Sequence, residues 1–174
     1  SKKQKVVLSG QGADELFGGY PWYTLMSNEK CTSDVQKFEN YYLDRTQDDF
    51  KDTISNDYIS LNNTTDFIKQ SFDVYDPNLT FLDKLLRFDI SHLIVDDPVK
   101  RVDSMTMAWG LETRVPFLDQ ELIEFMCSLS STDKIKNNGK YYLKRLAINY
   151  LAPEAINRKK FHFPVPPLKI LNGK

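Results

Sequence analysis

The stretch that most restricts the fold is KVVLSGQGADELFGGY, Lys5 to Tyr20. Lys5 to Leu8 reads as a strand, because unbroken aliphatic residues mark an interior parallel strand covered on both faces. It runs into Ser9-Gly10-Gln11-Gly12, and Gly18-Gly19 follow, so four of the seven glycines sit in this one stretch. A glycine turn between a strand and a helix N-terminus presents backbone N–H groups suited to an anion such as phosphate. No other segment reads convincingly as a strand, and one strand cannot make a sheet. Its neighbours must come from a partner or from a larger α/β domain. The apolar run favours the larger domain, of which this chain is then a piece.

The rest of the sequence has helical period. Val35–Arg45 and Gln47–Ile54 read as short helices in a polar region, and 56–65 as a loop leading into another helix. Leu79–Val95 is a stronger helix, with Leu82, Leu85, Leu86, Ile90 and Leu93 on one apolar stripe. Asp97 before Pro98 has the form of an N-cap followed by proline at the first helical position, so a new helix is expected to run to about Trp109. Asp119 marks a further start, with Leu118 stapled to Ile123 and Leu122, Phe125, Met126 and Leu129 on the buried face. Lys140–Leu151 reads as a helix ended by Ala152-Pro153, and the basic, aromatic, proline-rich stretch from Arg158 to Pro167 as a loop.

Composition narrows the classes of function. At 174 residues the chain is long enough to bury a core, and 41% hydrophobic with 27% charged residues is ordinary for a soluble domain. A formal charge of −1 supplies no basic field for nucleic acid. No apolar run reaches the length of a membrane span, and no signal peptide precedes the first strand. Cys31 and Cys127 lack metal-ligand spacing and read as packing residues in a reduced, cytoplasmic setting.

Three constellations bear on chemistry. Around the first turn, a carboxylate at Asp14 facing phosphate would repel it unless a divalent cation lay between, and magnesium on pyrophosphate resolves that conflict. Alternatively, Asp14 and Glu15 simply complement the helix dipole. In DDPVKRVDSMTMAWGLETRVPFLD, from Asp96 to Asp119, the residues Asp97, Arg101 and Ser104 fall on one helical face. Arg101 there can take phosphate or carboxylate oxygens with Asp97 orienting it, or the two form a solvated ion pair. Glu112 and Arg114 leave the same side of an extended segment, which suggests a buried pair. The basic loop Arg158–Phe163 can close over an anion as a lid, or stand as an exposed tail. His92 reads as a packing residue, and His162 alone carries no catalytic assignment.

Together these stretches resemble the synthetase domain of the glutamine-dependent asparagine synthetase family. The matching phrases are LSGxGADELFGGY at Leu8–Tyr20, the segment Asp96–Asp119, and RxK at Arg158–Lys160, while the middle from Met26 to Pro77 contributes little. Within the family, Gln11, DDPVKRVDSMTMAWGLE and FPVPPLK look most like N-acetylglutaminylglutamine amidotransferases. The resemblance implies a mostly helical chain that forms the C-terminal part of an α/β ATP-pyrophosphatase synthetase domain, residues 1–174, with about one parallel strand at its start.

The resemblance also implies a reaction. ATP adenylates a small-molecule carboxylate, and glutamine-derived ammonia displaces AMP to leave an amide. ATP and Mg2+ are the implied cofactors. Ser9, Gly10, Gln11, Gly12, Asp14 and Asp97 would bind the nucleotide, with Asp14 also the magnesium ligand. Arg101 and Lys160 would be catalytic. Two departures follow. Gln11 stands where many asparagine synthetases carry glutamate, and an amide cannot act as a general base. The chain also lacks a Ser-Gly-Gly-x-Asp-Ser pyrophosphate loop and a glutaminase domain, so the expected partner is a missing N-terminal part of the same enzyme. The isolated chain is accordingly expected to be inactive, and its unpartnered strand to drive self-association. Asparagine synthetase acting on aspartate and a non-catalytic helical binding module are the alternatives.

Overall fold

The structure is a computed structural model that describes residues 4–30, 33–43, 49, 53–55 and 63–158. The chain divides into two compact units, Ser1–Tyr142 and Leu143–Lys174.

The first unit opens with strand β1, Val6–Leu8, which pairs in parallel with a second strand, β2, Glu112–Arg114. The register is Val6 to Glu112, Val7 to Thr113 and Leu8 to Arg114, extended by bonds from the Glu112 N–H to the Lys5 carbonyl and from the Ser9 N–H to the Arg114 carbonyl. The single-strand expectation is therefore corrected. The sequence hides β2 because Glu-Thr-Arg is polar and only three residues long, so strand-like alternation has no room to appear. Exposure follows the same logic. Val6, Val7 and Leu8 are 39%, 38% and 70% exposed, because among the described residues only β2 pairs with β1.

Helices make up most of the rest. After the glycine turn come α1 (Ala13–Phe17), α2 (Pro21–Asn28), α3 (Asp34–Tyr42) and α4 (Asn63–Asp73). Thr64 and Thr65, expected in a loop, lie in the first turn of α4. Gln47–Ile54 falls almost wholly outside the described residues.

The next helix, α5 (Phe81–Phe88), starts at a capping box. The Asp83 N–H donates to Thr80 Oγ1 at 3.2 Å and the Thr80 N–H to Asp83 Oδ2 at 3.3 Å. Instead of stopping before Pro98, the chain stays helical through two wide turns, Asp89–Leu93 and Val95–Val99, into α6 (Lys100–Met107). Asp97 is thus not an N-cap. A turn with i→i+5 spacing tolerates a residue that lacks an N–H, which is why Pro98 does not end the rod. The same wide turns reset the buried face. Leu82, Leu85 and Leu86 are buried as expected, but beyond them the rod buries Phe88, Asp89 and Ile94, while Ile90 and Leu93 are only half-buried.

The core is aromatic and aliphatic, formed by Tyr23 and Met26 of α2, Phe38 of α3, Ile68 and Phe72 of α4, and Phe81, Leu82, Leu85, Leu86 and Phe88 of α5. Phe38 lies edge-on to both Phe72 and Phe88, at 5.8 and 5.2 Å between centroids. His92 stacks on Phe88 at 4.5 Å, a packing role as expected.

Downstream of β2 a short 3-10 turn, Pro116–Leu118, leads to α7 (Gln120–Ser128). Its N-cap is Asp119, whose Oδ1 accepts from the Leu122 N–H at 3.2 Å. Met126 is buried on the expected face, but Phe125 is 60% exposed, a further correction. Helix α8 (Ser131–Lys134) follows, and α9 (Tyr141–Ala147) crosses into the second unit. That helix ends four residues before the expected Leu151, tightening into turns in which the Tyr150 and Leu151 N–H groups both bond the Ala147 carbonyl. The described part of the second unit closes with α10 (Pro153–Ile156), with proline in its first turn.

Candidate functional site

The site is built on the turn between β1 and α1. Pairing of the Ser9 N–H to β2 carries the strand to the lip of the turn. Gly12 then takes φ +88°, and a Cβ there would lie 2.4 Å from Leu118 Cδ2. The positive φ favours glycine, and the Leu118 side chain seats directly on the turn. Gly10 is exposed, and Ser9 and Gln11 are half-buried.

Asp14 and Glu15 follow in the first turn of α1 and part company. Glu15 is buried and accepts the Tyr20 hydroxyl at 2.6 Å on Oε1, which is more than complementing the helix dipole. Burial pushes the Tyr20 phenol well above its ordinary range, and the bond to Glu15 adds to that. Asp14 is only half-buried, and its Oδ1 lies 3.1 Å from Lys140 Nζ. Lys140 is absent from the sequence-derived candidates.

The local chain is shaped to allow this pair. Asn137, Asn138, Gly139 and Lys140 all have positive φ, at 54°, 62°, 82° and 55°. Asparagine and glycine adopt that conformation readily, whereas a lysine there is strained by roughly 1–3 kcal/mol. Two contacts hold it. The Lys140 N–H donates to the Phe17 carbonyl at 2.9 Å, and Gly139 packs so closely that a Cβ would meet the Gly18 carbonyl oxygen at 2.2 Å. Gly19 leaves the room in which the ions meet, since a Cβ there would lie 2.2 Å from Asp14 Oδ1 and 2.3 Å from Lys140 Cε. Asn-Asn-Gly-Lys is the signal that could have pointed to Lys140, read as a left-handed turn set before a basic residue.

The other expected residues stand apart from this centre. Arg101 donates to Asp97 Oδ2 at 2.9 Å, with both side chains 61% exposed, so they form a solvated i,i+4 pair. Among the described residues neither bonds to Asp14 or to the glycine turn. Glu112 and Arg114 pair at 2.9 Å in solvent, correcting the expected burial. Lys160 lies outside the described residues, which end at Arg158. No cluster of three or more metal-ligating side chains occurs among the described residues. Nor is any described helix long and apolar enough to cross a membrane.

Comparison with known proteins bears on the whole chain. Residues 1–171 match the family described as asparagine synthase. The chain is similar to asparagine synthetase [glutamine-hydrolyzing] 1 of Bacillus subtilis, 33% identical over 95% of this chain and 31% of that protein. It is also similar to asparagine synthetase [glutamine-hydrolyzing] 3 of the same organism, 30% identical over 94% of this chain and 27% of that protein. A putative asparagine synthetase [glutamine-hydrolyzing] of Mycobacterium bovis is 27% identical over 95% of this chain and 30% of its own length. The chain thus spans about a third or less of the length of these relatives. No solved structure gives a significant match. The strand, the glycine turn and a family match that covers nearly every residue lead to one conclusion: the chain belongs to the asparagine synthase family.

Proposed function

We propose that this chain is the ATP-facing part of an amide synthetase that adenylates a carboxylate and passes ammonia from glutamine to it. The observation that carries the reading is the Asp14–Lys140 pair, held by a strained backbone beside a turn whose positive φ favours glycine. Strain of this kind persists where surrounding structure over-determines a position, and it clusters at functional sites.

The residues present fit Mg2+ on a pyrophosphate in a limited sense. Asp14 supplies one carboxylate, and magnesium on phosphates commonly takes only one or two from protein. Glu15 is committed to Tyr20, so Asp14 would be the ligand from this segment. A magnesium ion there would neutralise phosphate charge. The chain's own groups divide the remaining work. The backbone N–H groups from Gly10 to Gly12 orient an anion, the Ser9 N–H being bonded to β2, and Lys140 holds the Asp14 carboxylate in place. Arg101, with Asp97 setting its orientation, receives phosphate or carboxylate oxygens. Lys160 stabilises charge that builds as the carboxylate attacks the α-phosphate. The remaining groups come from a partner region, the glutaminase domain and pyrophosphate loop.

The carboxylate we propose is an N-acetylglutaminylglutamine-like dipeptide, on the resemblance carried by Gln11, the phrase from Asp96 to Glu112, and Phe163–Lys169. Aspartate is the second reading, favoured by the names of the relatives. The test is glutamine- and ATP-dependent amide formation by an enzyme of the relatives' length that contains this chain, offered each acceptor. Preference for the acetylated dipeptide supports the first acceptor and preference for aspartate the second. Absence of carboxylate-dependent pyrophosphate release with either overturns the synthetase reading.

A further inference from the structure

Asp89 opens the first wide turn of the long helical rod and is completely buried. Its Oδ2 accepts two hydroxyls, Tyr23 from α2 at 2.5 Å and Tyr42 from α3. Its Oδ1 is buried as well and has no hydrogen-bond partner. An ionised carboxylate has acceptor sites on both oxygens, yet here both donors crowd one of them. The other titratable groups that face it are Glu15, on α1, and the Tyr20 phenol that Glu15 holds. Phenols and a second buried carboxylate surround it, and no cation acts on it among these groups. A charge buried in this way has no cation beside it and leaves Oδ1 bare, a desolvation cost that the two phenol bonds offset only in part.

We propose that Asp89 is a proton-operated brace: protonated, it ties α2 and α3 to the rod beside α1, and on ionising it loosens that junction. Helix α1 packs against this wide turn and carries Asp14, so the brace underlies the candidate site. The inference does not depend on the reaction proposed above. Electrostatics supports it. Burial pushes the Asp89 carboxyl up to about 7, the two phenol hydrogen bonds pull it partway back, and Glu15 pushes it further up. The folded state therefore holds a proton that the unfolded chain has lost above its ordinary value of 3.8. The stabilisation is complete below that value and is lost as pH rises through about 7.

The test is thermal unfolding of the chain from pH 5 to 8.5, beside Asp89→Asn. Tm of the unmodified chain should fall by about 5–10 °C between pH 5 and 7 and level off above. Asp89→Asn keeps an acceptor for the tyrosines without a titrating group, and should remove that fall. Tyr23→Phe removes one donor to the charged form, and should move the fall to higher pH. Should Asp89→Asn not fold, infrared difference spectra of the unmodified chain decide the matter. A protonated-carboxyl band present at pH 6 and gone at pH 8.5 supports the brace. A flat Tm profile, a fall that survives in Asp89→Asn, or absence of that band overturns it.

Discussion

Lys140 Nζ reaches Asp14 Oδ1 at 3.1 Å from a backbone position, φ +55°, that a lysine rarely takes. The pair is closed in by two glycines, Gly19 under the ions and Gly139 against the Gly18 carbonyl. Nothing in their spacing along the chain announces it. The pair joins the glycine-turn helix to the left-handed turn at Asn137–Lys140, and the synthetase reading rests on that join.

Gly19→Ala should break the pair. The added Cβ would fall 2.2 Å from Asp14 Oδ1, so the two side-chain ends must shift apart. A loss of about 1 kcal/mol is expected in chemical denaturation. Gly10→Ala, with nothing within 4 Å of its Cβ, should change stability far less. Equal losses in the two variants would show that the Asp14–Lys140 pair is not what Gly19 protects.

Lys140→Asn separates strain from function. Asparagine tolerates the left-handed conformation, so relief of backbone strain should offset much of the lost ion pair and keep stability within about 1 kcal/mol. Amide synthesis by the relative-length enzyme should nevertheless fall by at least about tenfold, if Lys140 positions Asp14. Full activity in this variant would leave Lys140 as a purely structural residue.

The basic loop offers the sharpest comparison. If Lys160 fills the RxK position that the resemblance gives it, Lys160→Ala should lower kcat by about two to three orders of magnitude, the scale of losing one preorganised charge stabiliser. Lys160→Arg should restore activity only in part, because a planar fork does not replace a point charge. Lys159→Ala should be nearly silent. Steady-state amide synthesis by the three variants decides it, and a crippled Lys159→Ala would misplace the motif.

Thr80→Ala removes the cap of α5 and should cost about 1 kcal/mol. Burial pushes the Asp83 carboxyl up, but hydrogen bonds from Thr80 and Ser131 outweigh it and hold that carboxyl below its usual range. A group shifted down stabilises the fold above its ordinary value and loses that contribution as pH falls below it. The cost of Thr80→Ala should therefore shrink on acidification below about pH 4, measured as ΔTm against the unmodified chain.

The exposed strand should drive association. Leu8 is 70% exposed on a two-stranded sheet, and short apolar strands with open edges template further pairing. Sedimentation of the chain at rising concentration should show self-association, and Leu8→Lys should weaken it. A monomer at every concentration would exclude the strand as an association site.

Local physics was legible in the sequence. The unbroken run Val6–Leu8 marks the strand through its β-branched and aliphatic residues, although its expected burial is not seen, and Gly12 marks a turn that other residues would strain. Asp119 announces α7 through its own side-chain bond to the Leu122 N–H, and Leu82, Leu85 and Leu86 show their buried face through helical spacing alone. Each of these depends on neighbours within about one helical turn. What depends on distant neighbours was decided by the tertiary structure. Glu112–Arg114 becomes a strand because β1 lies beside it, and Pro98 stays inside a helix because wide turns absorb it. Those turns carry Asp89 inward to two tyrosines contributed by separate helices. Lys140 meets Asp14 only because a left-handed turn docks on the Phe17 carbonyl. Periodicity reports which face of an element is apolar. Which residues of different elements meet there is set by packing, and that is where this chain's candidate chemistry lies.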